Sequence, residues 1–133
     1  MMVKRILVSF LFFLGLFSSS VWASNADVKR AFESHRSDVQ VEGGGEVIRV
    51  LPDDNKGSRH QKFILRLDNR LTILIAHNID LAPRIPNLRK GDTVKFYGEY
   101  EYSNKGGVVH WTHLDPGNRH THGWLKHNGR TYE

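Results

Sequence analysis

Val39-Gln40-Val41-Glu42-Gly43-Gly44-Gly45-Glu46-Val47-Ile48-Arg49-Val50-Leu51 is the stretch whose reading decides the fold. Val39 and Val41 alternate with polar residues, three glycines interrupt, and the apolar run resumes at Val47. Alternation with period two marks a strand with one buried face. Glycines inside such a strand mark a bulge or a sharp bend. The stretch therefore predicts one long strand, bent at Gly43–Gly45 so that it serves both halves of a curled sheet. A glycine loop between two short strands is the competing reading. A phosphate-cradling loop is dismissed, because the Lys-Ser/Thr ending and following helix of a P-loop are missing.

Downstream the period of two continues. Gln61, Phe63, Leu65 and Leu67 share one face of a strand, with His60, Lys62, Ile64 and Arg66 on the other. Asp68-Asn69-Arg70 turns into Leu71–His77, where Leu71, Ile73 and Ile75 share a face and His77 continues it in phase. Asn78–Arg89 has no sustained period and carries Pro83 and Pro86, which discourage strand and long helix alike. Its Leu81, Ile85 and Leu88 are suited to plugging a barrel end. Thr93–Tyr102 is the next strand, with Val94, Phe96, Gly98, Tyr100 and Tyr102 on one side and Tyr97, Glu99 and Glu101 on the other. Asn104–Gly107 closes a hairpin into Val108–His113. Leu114–Glu133 reads as an irregular polar tail anchored by Trp124, Leu125 and Tyr132.

The chain is thus mainly β. Five strands, a bent first strand and an irregular third-to-fourth link predict a small oligonucleotide/oligosaccharide-binding-like (OB-like) barrel over residues 39–133. Phe63, Leu65, Ile73, Ile75, Val94 and Phe96 are its expected core. An up-and-down or SH3-like barrel is the alternative.

Upstream, residues 24–38 read as one amphipathic α-helix. Val28, Ala31, Phe32 and His35 fall on one face, with Ser24 or Asn25 as cap. Residues 1–23 read as a cleaved signal peptide: Lys4 and Arg5, an apolar run from Ile6 to Phe17, then Val21 and Ala23 at the cleavage site. The apolar run is shorter than the roughly 20 residues a membrane span needs. Export to the periplasm or medium, with no stable membrane anchor after cleavage, is the expectation. The chain has no cysteine, so disulfides, thiolate metal sites and a lipoprotein anchor are excluded. Losing Lys4 and Arg5 lowers the formal net charge from +5 to +3, mildly basic and compatible with anionic partners.

The chemistry-bearing residues crowd into Gly106–Trp124, which holds four of the eight histidines and two of the three tryptophans. The start of the second strand and the end of the third lie at one barrel rim. Arg59, His60, His77 and Asn78 are therefore expected near His110 and His113 at the end of the fifth. Arg84, Asp115, Arg119 and His120 complete the ligand-binding candidates. A guanidinium forms bidentate bonds to phosphate or carboxylate, or else braces its loop against an aspartate such as Asp80 or Asp115. His110, His113 and His120 are the metal candidates, a set suited to zinc, manganese or another divalent ion. His110 and His113, three apart, point to opposite faces of a regular strand, so only a bulge or an early strand end unites them. Trp111 shares parity with Val109 and is expected in the core.

Four blocks carry a family resemblance: Gly57-Ser58-Arg59-His60-Gln61, Ala76–Arg84, Gly98-Glu99-Tyr100-Glu101 and His110–Trp124. Across about Gly43 to Tyr132 the chain resembles the secreted bacterial family named domain of unknown function 3465. The resemblance implies an exported bacterial protein with an OB-like fold. Tyr102 stands where that family commonly has tryptophan, and Leu114 where it commonly has a further histidine. Gly117-Asn118 reverses its usual order.

Two functions fit these residues. The first is a binding module whose His/Arg/Asn-rich rim takes an anionic or polar ligand, with nucleic acid or oligosaccharide as examples. The second is a metal-dependent hydrolase of phosphodiesters with a histidine base and an arginine stabilising developing charge. The spacing completes no catalytic set, which favours binding.

Overall fold

Gly43–Gly45 are where one strand changes partners. In the computed structural model, which describes residues 25–133, β1 (Val39–Val50) pairs along Val39–Glu46 with β4 (Thr93–Glu101). From Gly45 to Val50 it pairs with β2 (His60–Leu67). Side chains at the bend have no room: a Cβ on Gly43 would lie 2.3 Å from Asn25 Oδ1, and one on Gly45 2.5 Å from the Arg66 carbonyl. The register slips by one residue between Val47 and Arg49, a bulge that tightens the curl.

β2 continues antiparallel to β3 (Thr72–Asn78), and β3 runs parallel to β5 (Val108–His110). β5 is antiparallel to β4, which closes the ring β1-β2-β3-β5-β4 back onto β1. The predicted five-stranded OB-like barrel is therefore the fold, with all six expected core residues buried. The one helix among the described residues, α1 (25–33), packs Val28 and Ala31 into the core. The predicted cap residue Asn25 has another task. Its amide bonds both the N–H and C=O of Gly44 at 3.1 Å, standing in for a neighbouring strand at the bend. His35 ends the helical turn with φ 53° and stacks on Tyr102 at 4.3 Å. The signal-peptide reading of residues 1–23 lies outside the described residues. Among the described residues no helix is long and apolar enough to cross a membrane.

Three expectations are corrected. The tail is not wholly irregular: β6 (Trp124–His127) pairs with β4, and β7 (Arg130–Tyr132) folds back on it. Asn128 and Gly129, with φ of 50° and 76°, make the tight turn. Asn-Gly between two short alternating runs is itself a hairpin signal. The β3–β4 link plugs the barrel through Ile85 alone among the three named residues in being fully buried. Leu81 is exposed and Leu88 only partly covered. Gln61 clasps Ile85 by both N–H and C=O at 2.9 Å. Finally, β5 stops at His110, because Trp111 adopts φ 55°. That left-handed residue swings Trp111 out of the core and breaks the strand's parity.

Candidate functional site

The rim forms as the strand ends dictate. His60 pairs with Asn78 across β2 and β3, and β5, parallel to β3, brings His110 to the same end. Which side chains face solvent is decided by parity.

His77 points inward and is wholly buried. Its Nε2–H donates to the Pro83 carbonyl at 2.9 Å, and its Nδ1 accepts from the Thr112 hydroxyl at 2.7 Å. Both nitrogens are used by the fold. Desolvation outweighs the carbonyl's help and pushes its pKa down to about 4, so it is a neutral strut rather than an exposed ligand. His113 is also buried, donating from Nδ1 to the Leu114 carbonyl at 2.6 Å.

Most of the remaining candidates brace loops. Asp80 takes the Arg59 N–H at 2.9 Å and the Arg59 Nε–H at 2.8 Å; these two bonds hold its carboxyl below the usual range. Asn78 Oδ1 accepts from the N–H groups of Asp80 and Leu81. Arg84 pairs with Asp53. Asp115 accepts from the N–H groups of His120, Arg119 and Gly117 at 2.7–2.9 Å, which lowers its pKa to about 2. Arg119 is exposed, and among the described residues no carboxylate lies within ion-pair distance of it.

The outward-facing group is different. Glu99 and Glu101, two apart on β4, share the outer face, and His110 on β5 lies directly across from Glu99. His110 Nε2 is 3.2 Å from Glu99 Oε2 and 3.4 Å from Glu101 Oε1. His120 reaches the other Glu99 oxygen at 3.1 Å and donates from Nδ1 to the Thr121 carbonyl at 2.8 Å. Its ring lies on the Trp111 indole, 3.9 Å between centroids and 10° from parallel. Burial opposes the charged form of His120, but Thr121, Glu99 and Asp115 outweigh it and raise its pKa. Glu101 is held above the usual carboxylate range by burial and by the adjacent Asp38 carboxyl, with His110 pulling the other way. The three candidate metal ligands thus do not converge. Among the described residues the donors within 4.8 Å of one another are Glu99, Glu101 and His110, without His113 or His120. Sequence reasoning placed both glutamates on the outward phase but did not assign them to the site. Their i, i+2 spacing opposite a histidine strand end was the available signal.

Gly123 fixes this arrangement, since a Cβ there would lie 2.0 Å from the Trp111 carbonyl and 2.5 Å from that of Tyr97.

The family model described as "Protein of unknown function (DUF3465)" matches residues 10–133. The chain belongs to this family. The match takes in α1 as well as the whole barrel. No curated protein matches the sequence.

In this DUF3465 chain the outer face of β2, β3 and β5 is a groove of about 370 Å³. Leu74, Ala76 and Val108 form its floor, Asp54, His60 and Lys62 one wall, His110 and Glu101 the other. A second concavity of about 240 Å³ shares Leu74 and Val108 and continues past Ile64 to Lys105. A larger one, about 490 Å³, opens beside Lys95 and Lys126 at the β6–β7 hairpin, but none of the predicted rim residues lines it.

Proposed function

We propose that this protein is an exported binding module that takes an anionic or polar ligand in the groove over β2, β3 and β5. The single observation that carries the reading is the groove's place and lining. It lies on the strand 2–3 face where OB-type barrels receive extended polymers. Its apolar floor suits a sugar or similar flat body, and along its edges Lys62 and Lys105 offer cations and His60 a ring nitrogen for hydrogen bonding. The hydrolase reading has less support, because His77 is committed to the core and Arg59 and Arg84 are committed to Asp80 and Asp53.

The test uses a labelled oligo-dT and a heparin-derived oligosaccharide as probes, with amide shifts followed by NMR. Binding should fall as salt rises and should move the resonances of His60, Lys62, Leu74 and His110. Lys62→Ala should weaken it roughly tenfold, the loss of one contact to a charged group, and Lys126→Ala should not. Shifts confined to the β6–β7 hairpin, or no binding of either probe, would overturn the proposal.

A further inference from the structure

The donor atoms of Glu99, Glu101 and His110 lie within 4.8 Å of one another, half-buried on one face, close enough to share a cation. A charge-assisted N–H···O bond closes to about 2.7–2.9 Å. Two pairs of this protein do, His127 to Asp92 and Arg59 to Asp80 at 2.8 Å each, while the exposed Arg66–Glu46 pair stays at 3.6 Å. The His110 contacts stay at 3.2 and 3.4 Å. Ligands bound to one tetrahedral zinc at about 2.0–2.2 Å stand about 3.3–3.6 Å from each other, the edge of that tetrahedron. The second observation is that one ring nitrogen serves two carboxylates. His110 Nε2 carries at most one proton to share between Glu99 and Glu101, whereas a divalent cation is attracted by both at once.

We infer that Glu99, Glu101 and His110 form a binding site for a borderline first-row divalent cation, zinc or a close relative. One imidazole and two carboxylates select against calcium and magnesium, which take oxygen ligands alone. The side chains are held before the ion arrives. The β4–β5 register sets His110 opposite Glu99, and His120, itself stacked on Trp111, grips the Glu99 oxygen that the ion does not need. His120 is therefore a positioning residue, the outer hydrogen bond that ligating carboxylates usually have. Three protein ligands leave a coordination position open. Glu101 and His110 also line the groove, so the ion sits in its wall, where it would meet an anionic ligand.

The test titrates the EDTA-stripped protein with zinc chloride alone, so its outcome is independent of whether the groove binds the polymer probes. Calorimetry should show one ion per chain. Glu99→Gln and His110→Ala should weaken binding at least tenfold, and His120→Ala by less, in keeping with inner and outer ligand contacts. His122→Ala, at an exposed loop position, should leave it unchanged. Circular dichroism on each variant confirms that it is folded. Manganese added to the unsubstituted protein should broaden the His110 and His120 imidazole signals before those of His35 or His127, a readout that needs no variant. Undiminished zinc binding in folded Glu99→Gln and His110→Ala, no saturable micromolar binding, or broadening that spares His110 would each overturn the inference.

Discussion

Two histidine neighbourhoods occupy the same barrel rim and behave as opposites. His77 lies inside, where a hydroxyl and a carbonyl hold it as a neutral ring whose pKa is pushed down to about 4. His110 and His120 lie outside on the glutamates of β4, and the pKa of His120 is raised. Residue type and rim are the same; the difference is the direction of the side chain and what it meets there. In a desolvated place an imidazole is a hydrogen-bonding strut. Beside half-buried carboxylates, as at His120, its charged form is favoured.

Replacing the inner histidine should break this contrast most strongly. His77→Ala empties part of the core and leaves the Thr112 hydroxyl and Pro83 carbonyl without their partner. It should approach the effect of Phe63→Ala, about 3–5 kcal/mol, seen as a reduced midpoint in urea. If His77→Ala is neutral while Phe63→Ala is not, the inner histidine is not a strut.

Acid titration should sharpen the contrast next. With His77 near 4 folded and 6.5 unfolded, the unfolded chain binds the extra proton between those values. Its contribution is whole above pH 6.5 and lost as pH falls to 4, about 3 kcal/mol in all. His77→Gln should flatten this part of the stability–pH curve. A slope as steep as that of the unsubstituted protein would assign the acid sensitivity elsewhere.

The outer group should have the smallest effect and the opposite sign. Because the pKa of His120 is raised, its contribution is present below its unfolded value and disappears as pH rises through the folded one. The ring is part-exposed and screened, so His120→Ala should cost well under 1 kcal/mol near neutral pH. Thermal melts at pH 6 and pH 8 check it: the gap between variant and parent should narrow at the higher pH. A gap that widens would reverse the assignment.

The sequence by itself determined the barrel. Alternation of period two marked four strands and the start of the fifth, the glycines marked the bend in β1, and the core list followed from parity. These are local signals, because a strand's neighbours two residues away share its face whatever it pairs with. The rim was legible for the same reason, since antiparallel β2 and β3 must bring His60 beside Asn78. Only the tertiary structure decided what the rim residues do. One left-handed residue, Trp111, reset the phase after β5, so the indole left the core and Thr112 turned in to His77. Asp53 met Arg84 across 31 positions, and Glu99 met His120 across 21. Pairings at that separation depend on register and loop closure, which residue spacing along the chain does not encode.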